Sequence, residues 1–345
     1  MMNAVRRFDR SALTMDCAAA AREIEAGIQG IVVHDLHRQG VVLGVSGGID
    51  SAVCAALAVR ALGPRRVMFL LMPEKESSPD STRRGRMLCE TLGVEPVLEN
   101  ITPALTALGC YDRRDNAIRR LVPGYSPGWR QKIGLSGSLL DNNRLNYFTL
   151  TVETPDGERI TERMPAETYL EVVAATNLKQ RVRKTVEYTH ADRLNYAVLG
   201  TPNRLEYELG FFVRGGDGLA DLKPIAHLYK SQVYQLAEYL GVPGEIRRQT
   251  PSTDTYSLPQ TQEEFYYALP YDVLDLALCA HGQGVAPAEA APALAMSAGQ
   301  VQRVYQDIER KQRTSARGLR DAVLVSPVHL PPAHLTPSHI SGSAA

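Results

Sequence analysis

The amino-acid sequence predicts an α/β fold: a doubly wound parallel sheet with helices on both faces, and an inserted segment containing a β-hairpin. Three observations point there. Continuously apolar strand candidates alternate with helical stretches, the pattern of a parallel sheet covered on both sides. The first strand candidate ends in a glycine turn that opens straight into a helix. Between about 106 and 170 the alternation stops, and a strand–turn–strand pattern takes its place.

Within 16–37, Ile24, Ile28, Ile31 and Val32 recur at helical spacing and predict an amphipathic helix. Gly40-Val41-Val42-Leu43-Gly44-Val45 is a short buried-type strand. It runs into Ser46-Gly47-Gly48-Ile49-Asp50-Ser51 and then into the alanine-rich stretch 52–62, a strong helix former. A second strand follows at Val67 to Met72, a helix at 80–92, and a third strand at Val94 to Ile101. In the inserted segment, Tyr147 to Glu153 alternates as a strand, Pro155-Asp156-Gly157 turns, and Glu158 to Met164 returns. Helices are predicted over 167–191 and near 230–241, with a strand at Tyr196 to Gly200 between them. Ser297 with Gln300 carries the signature of a capping box opening a helix to about Arg313. Residues 1–315 are expected to form a single domain, with the insertion at about 106–170. Residues 316–345, rich in Pro, His and Ser, are expected to be an extended or disordered tail.

Lys+Arg and Asp+Glu both number 38, so no global basic field exists to attract nucleic acid. The five cysteines are scattered without a CxxC pair, which argues against a disulfide framework and for free thiols in a reducing compartment. No stretch approaches the ~18 uninterrupted apolar residues of a membrane span. No apolar run follows Arg6 and Arg7 to make a signal peptide. A cytoplasmic protein without a membrane partner is expected.

The chemistry starts at the glycine turn. Glycines there let the backbone bend sharply and bring N–H groups close to an anion, and the following helix adds its partial positive charge. The turn is neither GxxxxGK[ST] nor GxGxxG. An acidic residue inside a phosphate loop repels phosphate unless a metal lies between them, so Asp50 reads as a Mg²⁺ ligand. A plain strand–helix turn that uses Ser, Gly and Asp for capping is the competing reading of the same six residues.

Ser46-Gly47-Gly48-Ile49-Asp50-Ser51 resembles the pyrophosphate-binding loop of the ATP pyrophosphatases, which include NAD synthetases, GMP synthetases, asparagine synthetases and tRNA-modifying enzymes. In that superfamily the loop grips the pyrophosphate released as a substrate is adenylated. The resemblance therefore implies ATP as co-substrate, bound by Ser46, Gly47, Gly48, Ile49, Asp50 and Ser51. Later segments narrow it to the ammonia-dependent NAD synthetases. Asn177-Leu178-Lys179-Gln180-Arg181-Val182-Arg183 resembles their NxKxRxR segment, and implies acceptor contacts from Asn177, Arg181 and Arg183. Helical spacing keeps these three off one narrow face, so such a segment can serve both an acceptor site and a subunit contact. A solvated basic helix is the bland alternative.

Gly200-Thr201-Pro202-Asn203-Arg204-Leu205-Glu206 resembles GTxNxxE, which implies Glu206 as second Mg²⁺ ligand beside Asp50, and Thr201 near the phosphates. Gly216 to Pro224 resembles GDGxxDxxP, with Asp217 and Asp221 on the nicotinic acid dinucleotide, preceded by Arg214 where Lys is common. Lys230, in a segment similar to LxKxQV, would be a phosphate-neutralising cation. Ser252, in a P[ST]xD turn, would put its hydroxyl on phosphate. Asp50, Thr201 and Lys230 form the implied catalytic set.

What the resemblance implies as a whole is ATP-dependent adenylation of the nicotinate carboxylate of deamido-NAD, then attack of ammonia to give NAD, by a homodimer with the 177–183 helix near its interface. Too few residues precede the first strand for a glutaminase domain, so ammonia is expected free or from a separate glutaminase. The sequence departs from the family in its long insertion, in Gly215 where Tyr is frequent before GDG, in Glu263-Glu264 where Asp-Glu is usual, and in its tail. The insertion and Gly215 favour an alternative, a related amide ligase acting on a different carboxylate. A sulfur-inserting tRNA enzyme lacks support for want of a CxxC pair. A non-catalytic nucleotide-binding module is opposed by the retention of Asp50, Glu206 and Lys230 together.

Overall fold

The computed structural model describes residues 8–136, 147–250, 255–323 and 325–326. A short 3₁₀ turn precedes α1 (Cys17–Gly30), whose N-terminus is capped by the Asp16 carboxylate accepting from the amides of Ala18 and Ala19. The helix continues past Gly30 as a wider π turn through Asp35. Then come β1 (Val41–Gly44), α2 (Ile49–Leu62), β2 (Val67–Leu71), α3 (Pro79–Leu92) and β3 (Val97–Leu98). The third strand is shorter than the predicted Val94–Ile101. Pro96 has no N–H to give a ladder, and the strand sits at the sheet edge with Leu98 half exposed.

Next come α4 (Thr102–Ala107), α5 (Cys110–Arg119), β4 (Arg130–Ser136), β5 (Tyr147–Glu153) and β6 (Arg159–Arg163). The predicted hairpin is β5–β6, turning at Gly157 with φ +86°. It is the second half of a three-stranded antiparallel sheet in the order β4-β5-β6. The long α6 (Ala166–Leu194) leads back to the main body through β7 (Ala197–Val198) and α7 (Arg204–Leu209). There follow α8 (Lys230–Tyr239), α9 (Gly244–Arg247), α10 (Tyr271–Gly282), α11 (Pro287–Leu294) and α12 (Ala298–Gly318).

The main sheet is parallel, in the order β3-β2-β1-β7, so the chain steps to one side of β1 and later returns to the other. Alternate strand residues supply its two cores. Val41, Leu43, Val67 and Phe69 pack against Ile24 and Ile28 of α1, Val53 and Leu57 of α2, and Val233 and Leu236 of α8. Val42, Leu70 and Val198 face Leu105 of α4, Tyr111 of α5 and Val182 of α6. Helices therefore cover both faces, as the continuous apolar strands predict. The antiparallel sheet has a core of its own, in which Ile133, Leu150 and Val152 meet Ile118, Val172 and Tyr256.

A further helical cluster forms from α7, α10, α11 and α12. The sequence gives little warning of α10, because residues 274–280 are all buried and leave no amphipathic stripe to read. The Ser297–Gln300 capping box is present, but α12 outruns Arg313 to Gly318. Its last turn is held down where the Ser315 hydroxyl donates to the Tyr207 carbonyl at 2.6 Å. Residues 327–345, most of the expected tail, lie outside the described residues. Among the described residues, no helix is long and apolar enough to cross a membrane.

Candidate active site

A cavity of about 430 Å³ opens at the carboxyl ends of β1, β2 and β7, spanning the point where the strand order reverses. The glycine loop forms its floor. Two serines brace the loop: the Ser51 hydroxyl donates to the Gly48 carbonyl at 2.9 Å, and the Gly48 amide donates to Ser46 Oγ at 3.2 Å. Gly47 has φ +79°, and a Cβ there would sit 2.4 Å from the Ser81 carbonyl oxygen. Only glycine both turns this way and lets the first turn of α3 pack so close. Ile49 is buried in the core and starts α2, which leaves Asp50 in the first turn with its carboxylate over the cavity.

Asp50 meets side chains from two distant segments. Asn203 Nδ2 donates to its Oδ1 at 3.1 Å, and Lys230 Nζ donates to its Oδ2. Asn203 also caps α7: its Oδ1 accepts from the Glu206 amide at 3.2 Å, while Glu206 Oε2 accepts from the Asn203 amide at 3.1 Å. The box thus fixes the Glu206 carboxylate facing Asp50. Burial, then repulsion from Asp50, pushes the Glu206 carboxyl up to about 8 against the pull of Lys230. Burial would drive the Lys230 ammonium toward neutrality, but Asp50 and Glu206 outweigh it and raise its pKa above the ordinary value. Lys230 is 1% exposed and begins α8, whose first two amides donate to the Asp275 carboxylate at 3.2 and 2.6 Å.

Among the described residues, no cluster of three or more His, Cys, Asp or Glu side chains is assembled for a metal. Two facing carboxylates are nonetheless the donor set a Mg²⁺ ion takes when substrate phosphates and water complete its shell. The mutual repulsion that raises Glu206 is what such a cation relieves, so the residues fit one.

The structure brings most of the sequence-predicted residues to one cavity. Ser46, Gly47, Gly48, Ile49, Asp50, Ser51, Thr201, Glu206 and Lys230 line it, and so do Asn177, Arg183 and Asp217. Asn177 and Arg183 reach it from α6 together with Gln180, Lys184 and Glu187, a single helical face. Arg181 lies off that face, its Nε donating to the Arg214 carbonyl at 3.3 Å, and neither Arg181 nor Arg214 lines the cavity. Asp221 is also outside. Its carboxylate accepts from the Val198 amide at 2.7 Å and the Tyr188 hydroxyl at 3.1 Å, tying β7 to α6. Ser252 falls outside the described residues. Asp217 accepts from the Val213 amide at 2.6 Å, and burial raises its carboxyl.

Other cavity residues carried no warning in the sequence. Lys184 donates to Glu187 at 2.6 Å, a nearly buried pair whose carboxyl is raised by burial. Ser77, Ser81, Thr82 and Arg84 form a wall on the β2–α3 side. Tyr169, Phe211, Tyr256, Phe265 and Tyr266 add aromatic rings to the lining. Gln262 turns its Nε2 toward Glu206 Oε1 at 3.5 Å, with its own Oε1 accepting from the Tyr271 hydroxyl at 2.5 Å.

A glycine loop at the carboxyl end of a parallel sheet, with a helix N-terminus beneath it and a carboxylate pair above, belongs to a phosphate-handling α/β enzyme. The particular family is shown by comparison with known proteins. The chain belongs to the NAD synthase family, whose sequence pattern matches residues 21–122 and 133–315. An NH(3)-dependent NAD(+) synthetase of Rhizobium meliloti (strain 1021) is 54% identical over 321 residues, 93% of this chain and 96% of the relative. Among solved structures, an NMN synthetase from Francisella tularensis superposes with TM-score 0.62 at 23% identity, covering 90% of this chain and 99% of its own. An NH3-dependent NAD synthetase from Campylobacter jejuni superposes with TM-score 0.59 at 23% identity, covering 90% and 100%. These last two likenesses concern the fold.

Proposed function

We propose that this chain makes NAD from deamido-NAD, ATP and ammonia. The observation that carries the reading is the convergence of Asp50, Glu206 and Lys230 on the glycine loop, in one cavity with Asn177, Arg183 and Asp217. The carboxylate of the nicotinate ring attacks the α-phosphorus of ATP. The bond to the bridging oxygen breaks, and pyrophosphate leaves from the loop. Loop amides, the α2 N-terminus and the buried Lys230 ammonium stabilise the charge that develops on it. Asp50 and Glu206 would hold Mg²⁺, which would neutralise phosphate oxygens when bound. Ammonia then attacks the acyl carbon of the adenylate, AMP leaves with the C–O bond electrons, and the nitrogen sheds its extra proton.

On the acceptor side, Asn177, Arg183 and Asp217 offer an amide, a guanidinium and a carboxylate to the dinucleotide. Arg181, Arg214 and the exposed Leu219 lie outside the cavity and support a homodimer in which α6 runs near the interface. Sedimentation showing only monomer at working concentration removes that assembly. Ammonia arrives free or from a separate glutaminase.

One observation favours a second acceptor. Gly215, at φ +71°, stands where a ring is frequent in the family, so the segment leading into Asp217 lacks that ring. The deciding assay follows pyrophosphate release with ATP, Mg²⁺ and ammonium, and offers deamido-NAD and nicotinic acid mononucleotide in parallel. A product one mass unit lighter than deamido-NAD, formed at the higher kcat/KM, is expected. Preference for the mononucleotide, or no turnover in an ATP-binding preparation, overturns the assignment of the acceptor.

A further inference from the structure

The β2–α3 wall of the cavity contains a cation that none of the motif segments includes. Arg84, on the first turns of α3, is 8% exposed and lines the cavity. Its neighbours are neutral: Nε donates to the Gly47 carbonyl at 3.3 Å, and Nη2 donates to Ser81 Oγ at 3.4 Å. Among the described residues it forms no ion pair, although the adjacent Arg83 points outward and is bidentate to Glu245. A guanidinium has five N–H donors, and two long bonds to neutral oxygens leave several unused; the Glu245 carboxylate feels its charge but is bidentate to Arg83 and does not pair with it. A nearly buried, unpaired charge is costly unless the site is completed by an anion.

Two close contacts put Arg84 against the loop. The α3 backbone at Ser81 packs on Gly47, where any Cβ would collide, and Gly85 lets α3 sit down on Leu71, whose Cδ2 would be 2.6 Å from a Cβ there. The helix is therefore seated by two glycines, one on each side of the contact. The seat sets Arg84 against the loop, while Lys230 reaches the same cavity from α8.

We propose that Arg84 is a phosphate-binding residue, gripping the β- and γ-phosphates of ATP and then the leaving pyrophosphate, with Lys230 as the second cation of the cavity. This rests on the reading of the cavity as the ATP site. A planar fork of donors suits two phosphate oxygens at once, which a lysine does not. Ser81 and Thr82 offer hydroxyls beside it.

The test measures the KM for ATP, the inhibition constant of inorganic pyrophosphate and the KM for deamido-NAD in the full-length chain. Arg84→Gln keeps a donor for the Gly47 carbonyl and removes the charge, while Arg84→Lys keeps the charge and removes the fork. We expect Arg84→Gln to raise both the ATP KM and the pyrophosphate constant about 10- to 100-fold, with the deamido-NAD KM unchanged. Arg84→Lys should recover part of the loss. Arg83→Gln, a charge removed from the same helix but facing solvent, should change neither constant. Lys230→Gln, run in parallel, reports on the site itself.

Values within twofold of wild type for Arg84→Gln, with Lys230→Gln impaired, overturn the proposal and leave the ATP site standing. Wild-type constants in both variants overturn the ATP site and the proposal together. An equal shift in Arg83→Gln reduces the effect to a general field and also overturns it. If Arg84→Gln fails to fold, Arg84→Lys decides: a folded lysine variant must still show weakened pyrophosphate inhibition, and wild-type inhibition refutes the role of the fork.

Discussion

Lys179→Met should unfold the protein more easily by about 3–5 kcal/mol, the usual consequence of removing one partner from a buried ion cluster. Lys179 sits in the middle of the basic segment of α6 yet is wholly buried. Its ammonium donates to Glu74 Oε1 at 2.8 Å, Glu76 Oε2 at 2.7 Å and the Thr255 carbonyl at 2.9 Å. Glu74 is equally buried and keeps only the Tyr111 hydroxyl at 2.8 Å and the Glu76 amide at 3.0 Å. Methionine fills the space but strands the Glu74 carboxylate without a cation and leaves Glu76 to Arg114 alone.

The pH dependence follows from Glu76. Burial alone would raise its carboxyl, but the Arg114 hydrogen bond and the charges of Lys179 and Arg114 outweigh burial and hold it at about 2. A carboxyl depressed in the folded state adds stability above its ordinary pKa and loses it as pH falls through the folded value. The shift from 4.5 to about 2 sets a ceiling of roughly 3 kcal/mol, shared between Arg114 and Lys179. Without Lys179 that share disappears, so the deficit against wild type should be full near pH 7.5 and narrow as pH drops below about 4. Guanidinium unfolding at the two pH values measures it, and adding Glu74→Gln to Lys179→Met should return part of the loss. A deficit below about 1 kcal/mol that is the same at both pH values refutes the buried-cluster reasoning.

Other expectations concern the site. Asp50→Asn should lower the rate of pyrophosphate release about 100-fold or more while the fold persists, checked by circular dichroism beside the kinetic assay. Gly47→Ala must hold φ near +79° and push against the Ser81 carbonyl, so it should cost at least about 1–3 kcal/mol in thermal unfolding and lower activity with it. Stripping divalent cations with chelator should abolish pyrophosphate release, and Mg²⁺ should restore it; activity that survives chelation removes the metal role of Asp50 and Glu206.

Much of the fold was legible because its signals are local. The apolar runs at Val41 and Val67, the glycine turn and the Ser297–Gln300 box each depend on neighbours within a few residues, and each forms where the pattern places it. The strand Arg130–Ser136 was not legible. Its partner Tyr147–Glu153 lies beyond a long connection, and its own Gly134 and alternating charges read as loop. The third strand was overread because an apolar run does not reveal that Pro96 interrupts the ladder.

Charged residues show the deeper limit of sequence reading. Asn177 to Arg183 is one stretch of α6, yet its side chains go three ways: Asn177 and Arg183 to the cavity, Lys179 into a buried carboxylate cluster, Arg181 to the Arg214 carbonyl. A helix rotates each successive residue by about 100°, so spacing separates these destinations. It cannot say which face meets carboxylates, since Glu74 and Glu76 come from a segment about a hundred residues earlier. Asp275 and Arg84 are the same case. Each is one ordinary charge on a helix, and each matters only because a distant backbone lies beside it: the α8 N-terminus for Asp275, the glycine loop for Arg84. A motif is legible when the residues that do the chemistry are also neighbours in the chain. The supports that hold Lys230 and the loop in place come from α10 and α3, and the fold alone brings them there.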